Sequence, residues 1–255
     1  MQSILKHILE YTLFAVRSIS APFLGIKEVS ILCYHQIDNL NREISIRSEI
    51  FKEQMQYLKN KGYHFATLDE IVAYVKREKD LPRKTVAVTF DDGYQSVYEH
   101  AFPILKRYDI PTTIFLVDDF EGSKERRGTN ADGLNKKDID TMLASGLVQI
   151  GDHSRTHLML DEISGEELLG ELCGKKQKYS YFAYPGGHHS NDVRTAVREA
   201  GFQAAFGIGQ GLVYPGDDIF RLRRNVITGT MSKIDFKTRV TKTIDWYMFI
   251  VRLFK

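Results

Sequence analysis

The chain has 255 residues, with 35 basic and 33 acidic side chains and a formal net charge of +2. That length holds one large domain or two small ones, and 43% hydrophobic residues supply a sizeable core. The near-balanced charge excludes a dedicated nucleic-acid binder, which carries a concentrated basic excess, and two distant cysteines, Cys33 and Cys173, exclude a disulfide framework.

Residues 1–26 predict an amphipathic helix, with Ile4, Leu5, Ile8, Leu9, Leu13 and Val16 on one face. Glu10 and Arg17 interrupt it. The uncharged run is far short of the ~20 residues needed to span a bilayer, and a cleaved signal peptide would need an unbroken apolar region. The helix lies on a membrane surface or packs on the domain itself.

A strand is predicted over 29–34, ending at His35, with Cys33 a buried small residue. Helices follow over 51–60 and 68–79, the second with Thr67 and Glu70 spaced as a capping box. Residues 84–90, K-T-V-A-V-T-F, are apolar or β-branched, as in a buried strand of a parallel sheet. This strand stops at Asp91, Asp92 and Gly93. A helix over 98–108, a strand over 112–117 and a polar loop over 121–134 come next. A helix over 135–144 precedes a strand over 147–150, which runs into Gly151, Asp152 and His153. Beyond it lie a helix over 164–173 and a strand over 180–184 that ends in Pro185, Gly186 and Gly187. A helix over 192–200, strands over 203–206 and 222–227, and a single terminal helix opened by Ser232 and Asp235 complete the chain.

Strands alternating with helices about seven times predict a mostly parallel sheet, closed as a barrel rather than left open. The expected organisation is an N-terminal helix over 1–26, a barrel over 27–230 and a C-terminal amphipathic helix over 231–255. That last helix carries Trp246, Tyr247 and Phe249 among basic residues and is a second candidate for contact with a membrane surface. A site peripheral to the membrane or in the cytoplasm is expected over secretion.

The polar clusters follow strands, and in a barrel such positions converge on one face. Asp91-Asp92-Gly93 reads as an ordinary turn or as a paired carboxylate that shares a metal or a proton. His153 and His157, four apart, read as surface histidines when taken alone. Joined to a carboxylate they make three ligands with one coordination position open, the arrangement of a catalytic rather than a structural zinc. The second carboxylate is then available as a base.

T-F-D-D-G-Y, H-S-R-T-H and F-A-Y-P-G-G, in this order, resemble the polysaccharide deacetylases of the NodB homology type. The leading I-L-C-Y-H and the late R-L-R-R-N-V resemble the exopolysaccharide branch, which includes poly-N-acetylglucosamine deacetylases. The resemblance implies a distorted (β/α)7 barrel, here with flanking N- and C-terminal helices, and hydrolysis of N-acetyl groups on a glycan. It implies Asp91 as catalytic base and Asp92, His153 and His157 as ligands of zinc or another divalent metal. It implies that the backbone N–H of Gly186, where many relatives carry tyrosine, faces the oxyanion. His35, Tyr184 and Pro185 are expected to border the substrate. Two departures stand out. Ala183 occupies the position of an arginine that holds the base, and no histidine follows His189 to serve as the late proton donor. Arg224 is expected to hold Asp91 instead; His188 or His189 is expected to supply the proton, the alternatives being that Asp91 returns it itself or that activity is low. The alternatives are a carbohydrate- or membrane-binding member with impaired turnover, and an O-acetyl esterase using the same site.

Overall fold

The computed structural model describes residues 12–13, 27–39, 44–122, 131–172 and 179–253. Of the predicted N-terminal helix only Thr12 and Leu13 are among them, and both are helical. Cys173 lies outside the described residues.

The main sheet is parallel throughout. Its strands run β10 (Asn225–Val226), β1 (Glu28–Tyr34), β5 (Lys84–Phe90), β6 (Thr112–Leu116), β7 (Val148–Asp152), β8 (Tyr181–Ala183) and β9 (Ala204–Phe206). A short β4 (His64–Phe65) joins the beginning of β5, and β2 (Gln36–Ile37) pairs with β3 (Ser45–Ile46) in a separate two-stranded sheet. The sequence pattern did not show these three short pieces, because two residues carry no periodicity. The sheet curls until its ends meet. Leu222 bridges Phe206 of β9, and three residues further on Asn225 pairs with Leu32 of β1. One interrupted strand, 222–226, therefore closes a seven-stranded barrel distorted at its seam.

Alternation in β5 separates two environments. Val86, Val88 and Phe90 pack outward against α1 (Ser48–Asn60) and its neighbours, whereas Ala87 belongs to the inner cluster with Val29, Ile31, Phe115 and Ala183. The same parity sends Thr89 and Asp91 inward.

Helix α2 (Leu68–Val75) has the expected capping box: Thr67 Oγ1 accepts from Glu70 N, and Glu70 Oε2 accepts from Thr67 N. Replacing Thr67 by Ala is expected to lower stability by about 1 kcal/mol, read as a denaturant midpoint shift at unchanged slope; an unmoved midpoint refutes it. This helix is four residues shorter than predicted. Arg77 turns left-handed (φ 65°), and its N–H and that of Glu78 reach back to Tyr74 O and Ala73 O, closing the helix as a Schellman motif.

The helix predicted over 98–108 is two pieces, a π-turn at Val97–Ala101 and α3 (Phe102–Tyr108). Pro103 has no N–H to give to the preceding turn, so the helix widens there. Helices α4 (Lys136–Ala144), α5 (Gly165–Leu172) and α6 (Asn191–Glu199) cover the remaining outer face.

The single C-terminal helix is also corrected. The chain forms α7 (Lys233–Arg239), opened by the predicted Ser232–Asp235 capping box, and then α8 (Thr243–Leu253). Val240, Thr241 and Thr243 are β-branched and propagate a helix poorly. The buried carboxylate of Glu28 accepts from Lys242 N at 2.8 Å and fixes the break against β1. Ile244 is fully buried on the domain, while Phe249 is 64% exposed.

Candidate active site

Two strand ends build the site. β5 delivers Asp91 and Asp92, β7 delivers His153, and the loop after β7 delivers His157. The backbone is unusual at these points. Asp92 (φ 76°) and His157 (φ 64°) are two of the few non-glycine residues in the left-handed region among the described residues. Such conformations are held only where surrounding structure enforces them, and they concentrate at functional sites. Here the enforcement is visible. Asp92 O accepts from Val117 N, His157 N donates to Ser154 Oγ, and Ser154 N donates to Asp152 Oδ1. Burial, with Asp118 and Glu171 nearby, pushes the Asp152 carboxyl up to about 7, against the lowering effect of the Ser154 N–H.

His153 and His157 each place Nε2 beside the same oxygen, Asp92 Oδ1, at 3.6 and 3.5 Å. The Nδ1 of His153 lies 2.7 Å from Ala183 O. An N–H donated there leaves Nε2 as a lone pair facing Asp92. One carboxylate oxygen and two imidazole nitrogens, all within 4.8 Å of one another, form a donor set that fits a divalent metal.

A second trio, Cys33, His35 and Asp91, is equally close-set among the described residues, but it does not suit a cation. Its carboxylate is already taken by a guanidinium. Arg224 donates from Nη1 to Asp91 Oδ1 at 2.6 Å and from Nη2 to Oδ2 at 2.7 Å. Arg224 is completely buried. Its Nε donates to Gly207 O, its Nη1 also reaches Thr89 Oγ1, and its plane sits 5.1 Å from the Phe115 ring centre. That ring fits because Gly151 has no side chain; a Cβ there would lie 2.5 Å from it. Burial alone would raise the Asp91 pKa. The charge of Arg224 and its hydrogen bonds outweigh it and hold the carboxyl well below the usual carboxylate range. Burial acts to lower the Arg224 pKa, and Asp91 more than reverses this.

These groups open into a cavity of about 650 Å³. His35, Tyr94, Phe120, Tyr184, Gly186 and Val226 contribute to its walls. Gly186 (φ 62°) sits in the turn Pro185–Gly187. The next two N–H groups of this turn donate to Tyr184 O and Pro185 O, whereas that of Gly186 has no acceptor among the described residues. Pro185 is buried and is not part of the wall; Tyr184 offers its ring, since its hydroxyl donates to Phe220 O.

His189, expected as the proton donor, is not among the residues that line this cavity. Its ring stands edge-on to Tyr184 at 4.9 Å, and it lines a neighbouring cleft. His188 points instead toward Asp161, with Nδ1 3.5 Å from its carboxylate. Three histidines line the cavity, and His35 is the one outside the donor trio; its Nδ1 is buried without a hydrogen-bond partner among the described residues. Cys33, expected from the sequence to be a plain core residue, also belongs to the site. Its Sγ lies 3.3 Å from Asp91 Oδ2, and its position two residues before His35 is the sequence signal that places both on one side of the strand.

A barrel with a metal-fitting donor trio and an arginine-held carboxylate at its carboxyl-end face is the architecture of a hydrolase. The model of the polysaccharide deacetylase family matches residues 78–205. The poly-beta-1,6-N-acetyl-D-glucosamine N-deacetylase of Staphylococcus epidermidis is 30% identical over 205 residues, covering 73% of this chain and 69% of that protein. Its counterpart from Staphylococcus aureus is 28% identical over the same length and coverage. The structure of IcaB from Ammonifex degensii superposes with a TM-score of 0.74 at 28% identity, covering 87% of this chain and 97% of that one. The Streptococcus pyogenes deacetylase PplD shares the fold, with a TM-score of 0.73 at 24% identity. The chain belongs to the polysaccharide deacetylase family.

Proposed function

We propose that the chain hydrolyses N-acetyl groups on an N-acetylglucosamine-containing polysaccharide, with Asp91 as general base. The observation that carries this is the pairing of Asp91 with Arg224 directly beside the Asp92, His153 and His157 donors. The names of the staphylococcal relatives support the glycan. Asp92, His153 and His157 would hold the metal, and imidazole with carboxylate suits zinc among the available divalent ions. Bound there, the ion supplies Lewis acidity toward the acetyl carbonyl and toward water.

The chain's own groups do the rest. Arg224 keeps Asp91 ionised and fixes both of its oxygens, so the carboxylate can accept the proton of the attacking water. The Gly186 N–H is free to stabilise the oxyanion. His35 gives a proton to the leaving amine, because it is the histidine in the cavity that does not belong to the metal-fitting trio.

Acetate release from N-acetylglucosamine oligomers, measured after chelation and again after zinc is restored, tests the reading. Activity that ignores both treatments sinks it. His35→Ala is expected to lower kcat by about two orders of magnitude with zinc content unchanged; a normal kcat removes His35 as the acid. His157→Ala is expected to lose the ion, about one per chain in the parent protein. A hundredfold excess of zinc over Kd should stabilise the parent by about 2.7 kcal/mol and leave this variant unmoved. Equal thermal shifts for the two proteins would remove His157 from the ligand set.

A further inference from the structure

The loop that carries the two histidines has no regular structure after β7, yet each backbone N–H from His153 to His157 has an acceptor. His153 N donates to Leu116 O, Ser154 N to Asp152 Oδ1 and His157 N to Ser154 Oγ. The two between them end on one residue, Glu171 of α5. Arg155 N donates to Glu171 O at 3.1 Å, and Thr156 N donates to Glu171 Oε2 at 2.9 Å. The Thr156 hydroxyl takes the other carboxylate oxygen, Oε1, at 2.8 Å. From the opposite side, Asp118 N and Asp119 N donate to Ser154 O and Arg155 O. The loop is thus clamped between the segment after β6 and the side chain of one glutamate. Glu171 is 2% exposed, and its charge bears on the buried Asp152. Burial and a neighbouring carboxylate both count against an acidic residue here. Leu168 and Leu172 already pack this helix on the barrel, so the core does not ask for Glu171. Its two hydrogen bonds to Thr156 are what the position gains.

We infer that Glu171 is a positioning residue for the metal centre: it holds the backbone between the two histidines in the shape that brings both imidazoles to Asp92, and so sets how tightly the ion is bound. This role presupposes that Asp92, His153 and His157 are the ligands, and it adds a residue that touches none of them. The loop needs holding because Ser154 and His157 are both left-handed (φ 64°). Released, non-glycine residues of this kind relax to the right-handed or extended regions. Such a rotation swings the His157 ring, now 3.5 Å from Asp92 Oδ1 and 4.9 Å from the His153 ring centre to centre. An ion then has to gather its donors against the preference of the chain, and its affinity falls.

The test uses the full chain and zinc alone, with Kd read by competition against a chromogenic chelator. Glu171→Gln keeps the length of the side chain, but its amide nitrogen cannot accept, so one of the two Thr156 hydrogen bonds is lost. Zinc affinity is expected to fall about tenfold. Glu171→Ala loses both and is expected to fall about a hundredfold. Leu168→Ala is the control: it removes a buried side chain from the same helix without touching the loop, so it should lower the melting temperature and leave the zinc Kd at the parent value. A parent-like Kd in Glu171→Gln overturns the positioning role while the metal reading stands. Equal weakening in Glu171→Gln and Leu168→Ala also overturns it, since the helix rather than the carboxylate then sets the affinity. If the parent protein itself takes up neither zinc nor another divalent ion, the metal reading fails and the role of Glu171 falls with it, an outcome seen in the parent titration before any variant is made.

Discussion

Asp91→Asn is expected to lower kcat for deacetylation by about two to four orders of magnitude while zinc content stays at the parent level. The two halves of this result matter together. Asp91 is adjacent in sequence to a proposed metal ligand and its Oδ2 lies 3.9 Å from His153 Nε2, but both of its oxygens are already held by Arg224. An amide at position 91 keeps the shape and cannot take a proton from water. The ligands on Asp92, His153 and His157 are untouched, so the ion should remain. Turnover and metal are therefore measured on the same sample, at a temperature well below its melting point, because the variant also leaves a buried guanidinium without its counter-charge. Full activity in Asp91→Asn would end the assignment of the base. Loss of metal along with activity would show that Asp91 serves the ion rather than the water.

Arg224→Met is expected to lose about 3–5 kcal/mol of stability at neutral pH, because a buried carboxylate is left unpaired. For a domain of this size that is a melting-temperature drop of roughly 2–4 °C per kcal/mol. The effect has a definite pH dependence. In the parent protein the Asp91 pKa is depressed in the folded state, so its contribution is present above the ordinary carboxylate pKa and is lost only as pH falls through the depressed value. Without Arg224 the burial that opposes this depression takes over, and the folded-state pKa rises above the unfolded one. The variant then loses stability as pH rises toward neutrality, so the gap to the parent protein widens between pH 5 and pH 8. Arg224→Lys should recover little, since an ammonium cannot hold both carboxylate oxygens in one plane. Melting curves of the three proteins at the two pH values decide the matter. Parallel behaviour at both would show that Arg224 does not carry the ionisation of Asp91.

The parts of this molecule that could be read in the sequence are those written in short-range patterns. The alternation of Lys84–Phe90, the abrupt Asp91-Asp92-Gly93 and the spacing of His153 and His157 each lie within a dozen residues. The two capping boxes, at Thr67 and Ser232, are equally local. Arg224 on Asp91 was reachable only because Ala183 left a vacancy to fill, and the contact spans 133 residues. What local pattern did not contain was set by direction. The left-handed Gly187 and the ring of Tyr184 put His189 in the next cleft, a turn of the chain that no spacing rule registers. The break between α7 and α8 depends on Glu28, more than two hundred residues away, reaching Lys242. The position of His35 at the end of β1 is legible in the sequence, whereas its proposed role as proton donor depends on where the other histidines lie, which no local spacing gives.

The closing strand of the barrel has a bearing on how the protein comes into being. Asp91 and Asp92 leave the ribosome long before Arg224 does, and until residues 222–226 bridge β9 to β1 the interior has no guanidinium to meet them. A nascent chain that has already threaded six strands thus still holds a repelling acidic pair, which opposes premature compaction. Completion of the seam is also what brings Arg224 to Asp91, so this buried carboxylate gains its counter-charge only as the barrel closes.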